Sequence, residues 1–132
     1  MEGLELMPQD SIEQAIHKSL IKLSTEKAGD DLVVSGVFSF AEDFPAFAGH
    51  FPQEPVFPAV VQLAIVRIIA GQGLDRKLKL ALVERAKFSG VVRPHEEIKV
   101  TVNLQESNEG IRAKFKIIRD NVTVASGTLV FK

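Results

Sequence analysis

A chain of 132 residues with no cysteine and a formal charge of −1 is long enough for one buried core, and it excludes disulfides, thiolate nucleophiles and cysteine-bound zinc. Hydrophobic residues at 45% and charged residues at 25% are ordinary globular proportions, and Lys and Arg are interleaved with Asp and Glu along the sequence, so nucleic acid is not an expected partner. The acidic opening MEGLELMPQD lacks the basic-then-apolar pattern of a signal peptide, and the longest apolar run, Ala59 to Ala70, is broken by Gln62 and Arg67 and is too short to span a bilayer. A soluble, cytoplasmic protein of one domain, 1–132, is therefore expected, with no membrane partner.

From Asp10 to Leu23 the apolar residues Ile12, Ala15, Ile16, Leu20 and Leu23 fall at helical spacing, and Asp10 with Glu13 forms an Asp-x-x-Glu start, which predicts an amphipathic helix over about 10–23. A competing reading makes Leu20 to Thr25 a strand that pairs with the next segment across the turn KAGDD. Leu32 to Phe40 is rich in Val and Phe, with Ser35 and Ser39 on one parity, and reads as a strand. Pro45, Pro52, Pro55 and Pro58 with Gly49 then forbid any regular element from 41 to 58. Phe44, Phe47, Phe51 and Phe57 in this stretch imply a loop packed on the core.

Pro58 suits a first helical position, AVVQLAIVRIIA continues from it, and Gly71 supplies a stop, so a helix is predicted over about 58–70. It is apolar nearly all round and must be wrapped by other structure. Four strand-like segments follow, Leu78 to Phe88, Ile98 to Gln105, Ile111 to Arg119 and Val122 to Phe131, read as an uninterrupted meander with turns at Asn108-Glu109-Gly110 and Asp120-Asn121. Alternations such as Arg112/Lys114/Lys116 against Ala113/Phe115/Ile117 give the sheet one buried and one wet face.

The segment FAGHFPQEPVFPAVVQL, Phe47 to Leu63, resembles the G-H-F-P-x-x-P-x-x-P-G motif of the β-hydroxyacyl-ACP dehydratases of the FabZ and FabA type, with prolines at +2, +5 and +8 from His50. AKFSGVVRPHEE, Ala86 to Glu97, and the closing ASGTLVFK are similar to later strands of that family. The resemblance covers about 31–132 and implies an α+β hot-dog fold, an antiparallel sheet wrapped around a central hydrophobic helix. It also implies a homodimer or higher oligomer paired edge to edge, with a site that includes residues of both chains. The VVQL after the prolines looks closer to a divergent dehydratase-like branch.

The same resemblance implies a site. His50 matches the catalytic histidine, whose imidazole suits removal of a C2 proton because it titrates near neutrality. The amides near Ala59 and Val60 match the helix start that holds the thioester carbonyl, where N–H groups are unpaired and sit at the positive end of the helix dipole. Phe51 and Phe57 would line the acyl channel. The implied partners are acyl-ACP or acyl-CoA in lipid biosynthesis, with no cofactor and no metal.

Two positions depart from the family pattern. The helix acid stands fourteen residues beyond the histidine, which here is Ala64, and no carboxylate occurs from Val56 to Leu74. The glycine after the third proline is Ala59. Gln62 is the only uncharged polar side chain in the first two turns, either holding the substrate or making a structural hydrogen bond, but an amide is no general acid. Glu84 and Glu54 are candidate acids from outside the helix. Arg67 calls for a carboxylate partner or a phosphopantetheine contact, whereas His17 and His95 are isolated and expected at the surface. Three functions remain open on the sequence: a dehydratase using His50, a non-catalytic acyl-thioester binder that kept the pocket, and a thioesterase.

Overall fold

The computed structural model describes residues 9–45 and 58–132. Helix α1 (Gln9–Ser19) leads directly into β1 (Leu20–Ala28), and β2 (Asp31–Ser39) follows. After the proline-rich stretch come α2 (Ala59–Leu74), β3 (Leu80–Phe88), β4 (Glu97–Ser107), β5 (Gly110–Arg119) and β6 (Val122–Phe131). The six strands form one antiparallel sheet in the order β1-β2-β4-β5-β6-β3.

This order corrects the expected meander. Strand β3 does not pair with β4; it crosses to the far edge and pairs with β6, from Leu80 opposite Phe131 to Phe88 opposite Ala125. That leaves β2 to pair with β4. The first helix is also shorter than its periodicity suggested. It stops at Ser19, whose hydroxyl donates to the Ala15 carbonyl at 2.8 Å, and the residues from Leu20 turn into the strand paired with β2. Tertiary pairing outweighs local spacing here, because Leu20 and Leu23 pack on the core equally well from a strand.

Period-two alternation places Ile98, Val100, Val102 and Leu104 of β4 and Ile111, Ala113, Phe115 and Ile117 of β5 on one buried face. Helix α2 lies on that face, burying Ile65, Val66, Ile69 and Ala70 completely. Backbone and side chain meet closely beneath it. A Cβ at Gly73 would stand 2.4 Å from Val34 Cγ2, and one at Gly36 would stand 3.4 Å from Ile69 Cγ2.

Gly71 was expected to end this helix and does not. The helix runs on to Leu74 and closes at Asp75, which adopts φ 57 while the amides of Asp75 and Arg76 return to the Gln72 and Gly71 carbonyls. Gly71 serves close approach instead, since a Cβ there would meet the Arg76 carbonyl oxygen at 2.7 Å.

The two sheet edges differ. Both strands carry three charges, Lys22, Glu26 and Lys27 on β1 and Glu84, Arg85 and Lys87 on β3, but every residue of β3 is exposed and it adds Leu80, Leu82, Val83 and Phe88. Exposed apolar side chains on an edge invite pairing with another chain.

Candidate functional site

The start of α2 is shaped by what it lacks. Pro58 is the cap rather than the first helical residue, in extended conformation at φ −68 and ψ 152, and it offers no side-chain cap. No acidic residue stands in the first turn. The amides of Val61 and Gln62 both return to the Pro58 carbonyl, at 3.2 and 3.3 Å. The amides of Ala59 and Val60 precede the first intrahelical acceptor, as the leading amides of any helix do. Both residues are exposed, Val60 at 71%. The result is a positive helix end facing outward without a neutralising group in its own first turn.

Gln62 sits one turn in and faces the sheet. It is 3% exposed, and its Oε1 has no hydrogen-bond partner among the described residues. A buried carbonyl oxygen without a donor costs roughly 1–3 kcal/mol. Ala64, the position of the family's acid, is half-buried. Two residues along a helix are about 200° apart around its axis, so Gln62 and Ala64 point to opposite sides and the amide does not fill the acid's place.

Along the face of Ala64 run Val60, Leu63 and Arg67, all less than fully buried. Arg67 is the one charge on it, and its Nη2 donates to Glu13 Oε2 of α1 at 2.5 Å. Sequence alone called for a carboxylate partner without naming it. One turn further, Gln72 Nε2 and His17 Nδ1 lie 2.9 Å apart, so α1 is stitched along the second half of α2.

The approach to the site is anchored at its described end. Phe38 and Phe40 stack with centroids 5.6 Å apart, and Phe44, only 4% exposed, meets Phe40 edge-on at 4.7 Å. Phe44 thus packs on the core as the sequence predicted. The crossing turn before β4 joins the same place, with the His95 amide donating to the Phe40 carbonyl at 2.7 Å. His50, Phe51, Phe57 and Glu54 lie outside the described residues. Of the other candidates, Glu84 is engaged by Arg112 at 2.9 Å on the sheet, and His17 and His95 are exposed as expected.

The family model described as ApeI-like, ApeI dehydratase, matches residues 24–128. A 3-hydroxyacyl-[acyl-carrier-protein] dehydratase FabZ from Bartonella bacilliformis is 30% identical over 101 residues, 70% of this chain and 65% of the relative, so the chain spans slightly less than two thirds of that protein's length. The dehydratase heterocomplex ApeI:P from Xenorhabdus doucetiae superposes with a TM-score of 0.66 at 19% identity, covering 84% of this chain and 98% of the other. A putative thioesterase, yhdA from Lactococcus lactis, superposes at 0.70 with 14% identity, covering 95% of each chain. At these identities the structures speak for the hot-dog fold alone, and the α+β architecture of one sheet around one helix agrees with them.

Proposed function

Because this chain belongs to the ApeI-like dehydratase family, we propose that it binds and dehydrates 3-hydroxyacyl thioesters of a carrier protein or of coenzyme A in lipid biosynthesis, in the cytoplasm. The observation that carries the reading is the uncapped, outward-facing start of α2, with no acid in its first turn and exposed residues at Ala59 and Val60. A thioester carbonyl that gains charge as its C2 proton leaves is stabilised by the two leading amides.

In this reading the imidazole of His50 takes the C2 proton, the freed electron pair forms the C2=C3 bond, and the C3–O bond breaks. With Ala64 in the acid's place and no carboxylate elsewhere on α2, the imidazolium returns its proton to the departing hydroxyl, which leaves as water. The free Oε1 of Gln62 accepts from a donor on the bound ligand, and Phe51 and Phe57 line the acyl chain's path.

A second reading concerns the acid. The neighbour from Xenorhabdus doucetiae is a heterocomplex, and the edge of β3, where Leu80, Leu82, Val83 and Phe88 are exposed, offers a place for a second hot-dog subunit. Pairing there with another copy makes the homodimer; pairing with a different chain would let that chain bring the missing carboxylate.

The test is hydration of a trans-2-enoyl thioester, the reverse reaction, followed as loss of the enoyl absorbance. Loss of a general base costs on the order of 10²–10⁴-fold, so His50→Ala should fall by that much. A wild-type rate equal to that of the variant removes the dehydratase and leaves the non-catalytic binder. No helix among the described residues is long and apolar enough to cross a membrane.

A further inference from the structure

Basic residues that are scattered along the sequence are gathered by strand register. On the outer face of the sheet, away from α2, Lys116 stands opposite Ser126 and Ser126 opposite Lys87; one step along, Lys114 stands opposite Thr128 and Thr128 opposite Arg85. Two parallel rows thus cross β5, β6 and β3, each with a hydroxyl between two cations. Residues two apart on a strand are separated by about 6.6 Å, and strands two apart by about 9.6 Å. The four cations mark the corners of a rectangle of roughly 7 by 10 Å around Ser126 and Thr128.

All four cationic residues are exposed, and three of them, Arg85, Lys114 and Lys116, line a depression of about 500 Å³ together with both hydroxyl residues. Among the described residues no ion pair engages any of the four, whereas the neighbouring Arg112 is held by Glu84 at 2.9 Å. One acid, Glu84, borders the patch beside Arg85 and Lys114 and is taken up by Arg112. At the ends of the strands Glu106 is paired with Arg76 and Glu96 with Arg119, while Glu109 and Asp120 stand in the turns.

We propose that this cationic outer face, centred on Lys114, Lys116, Arg85 and Lys87, docks an acidic protein surface. Glu109 and Asp120 stand in the turns at its two ends, so an extended polyanion such as a nucleic acid laid along the strands would run from the cations toward carboxylates. The one aromatic residue lining the depression, Phe115, is only 4% exposed, which leaves bases nothing to stack on. A helix laid along the strands, by contrast, brings carboxylates at i and i+4 about 6 Å apart, close to the shorter edge, and one laid across them brings i and i+7 about 10.5 Å apart, close to the longer edge. The inference stands independently of the acyl-thioester reading.

The test uses the intact protein and a 21-residue helical peptide with glutamate at i, i+4 and i+7, its glutamine counterpart, and an RNA duplex, with binding measured by fluorescence anisotropy. The glutamate peptide should bind and weaken about tenfold between roughly 50 and 200 mM salt, as screened surface charges do, while the glutamine peptide should not bind. Lys114→Gln/Lys116→Gln should weaken it about tenfold without changing the melting temperature, and Lys22→Gln/Lys27→Gln, on β1, should not. Equal binding of the two peptides, indifference to the Lys114/Lys116 change, or tighter binding of the duplex overturns the proposal.

Discussion

Arg67 of α2 and Glu13 of α1 are joined at 2.5 Å, the one described ion pair between the two helices. Their side chains are 25% and 33% exposed, so solvent screens the pair only in part. Partly buried pairs of this kind contribute on the order of 1 kcal/mol, and removing Arg67 also strips the apolar stem that covers α2.

Arg67→Met should therefore lower stability by about 1 kcal/mol and Glu13→Gln by less, with a coupling of about 0.5–1 kcal/mol in a double-mutant cycle read from urea unfolding. Additivity of the two changes would mean that the contact holds nothing together.

Gln62 carries a prediction of opposite signs in two measurements. Leucine has a similar shape and no acceptor to leave unpaired, so Gln62→Leu should raise the stability of the free chain by about 1 kcal/mol. The same change should weaken binding of a 3-hydroxyacyl thioester by about tenfold, since a charge-neutral hydrogen bond to ligand is then lost. Calorimetry of both quantities on one preparation decides it; stability gained without loss of affinity assigns the amide to the core alone.

The all-exposed β3 strand predicts self-association along that edge. Leu82 is 53% exposed in the single chain, and Leu82→Lys places a charge in a ladder that needs apolar contact. Sedimentation at micromolar concentration should give a dimer or larger for the wild type and a shift to monomer for the variant. A monomeric wild type would remove the shared site along with the dimer.

The fold was largely legible in the sequence wherever burial imposed a clean period. Ile98 to Leu104 and Ile111 to Ile117 alternate because one face is core and the other water, and both strands lie where the alternation puts them. The misreadings share a cause: the deciding contact was distant. Leu20 and Leu23 satisfy a helical stripe and a strand equally, and only the pairing of β1 with β2 chooses between them. Gly71 has the composition of a stop, yet its lack of a side chain is used against the Arg76 carbonyl and that of Gly73 against Val34. The crossing of β3 to β6 had no local signal, because Gly127, where a Cβ would stand 2.3 Å from the Arg85 carbonyl oxygen, marks that close approach only once the strands are paired.

For the site, the motif spacing points to the residues after Pro58 and to Ala64, and α2 begins at Ala59 with Pro58 as its cap. The direction of Gln62 was hidden, since a helix apolar nearly all round gives no phase from which to read which side faces the sheet. The cationic rows were hidden for a similar reason: Lys87 and Lys116 are far apart in sequence and meet only through Ser126.

The most direct measurement is the change in backbone amide resonances as a 3-hydroxyacyl pantetheine thioester is titrated into the protein. The account predicts the largest shifts at the Ala59 and Val60 amides, the two that the helix leaves free for a carbonyl oxygen. Saturable binding that leaves those two amides unmoved, with its shifts elsewhere in the chain, would contradict it.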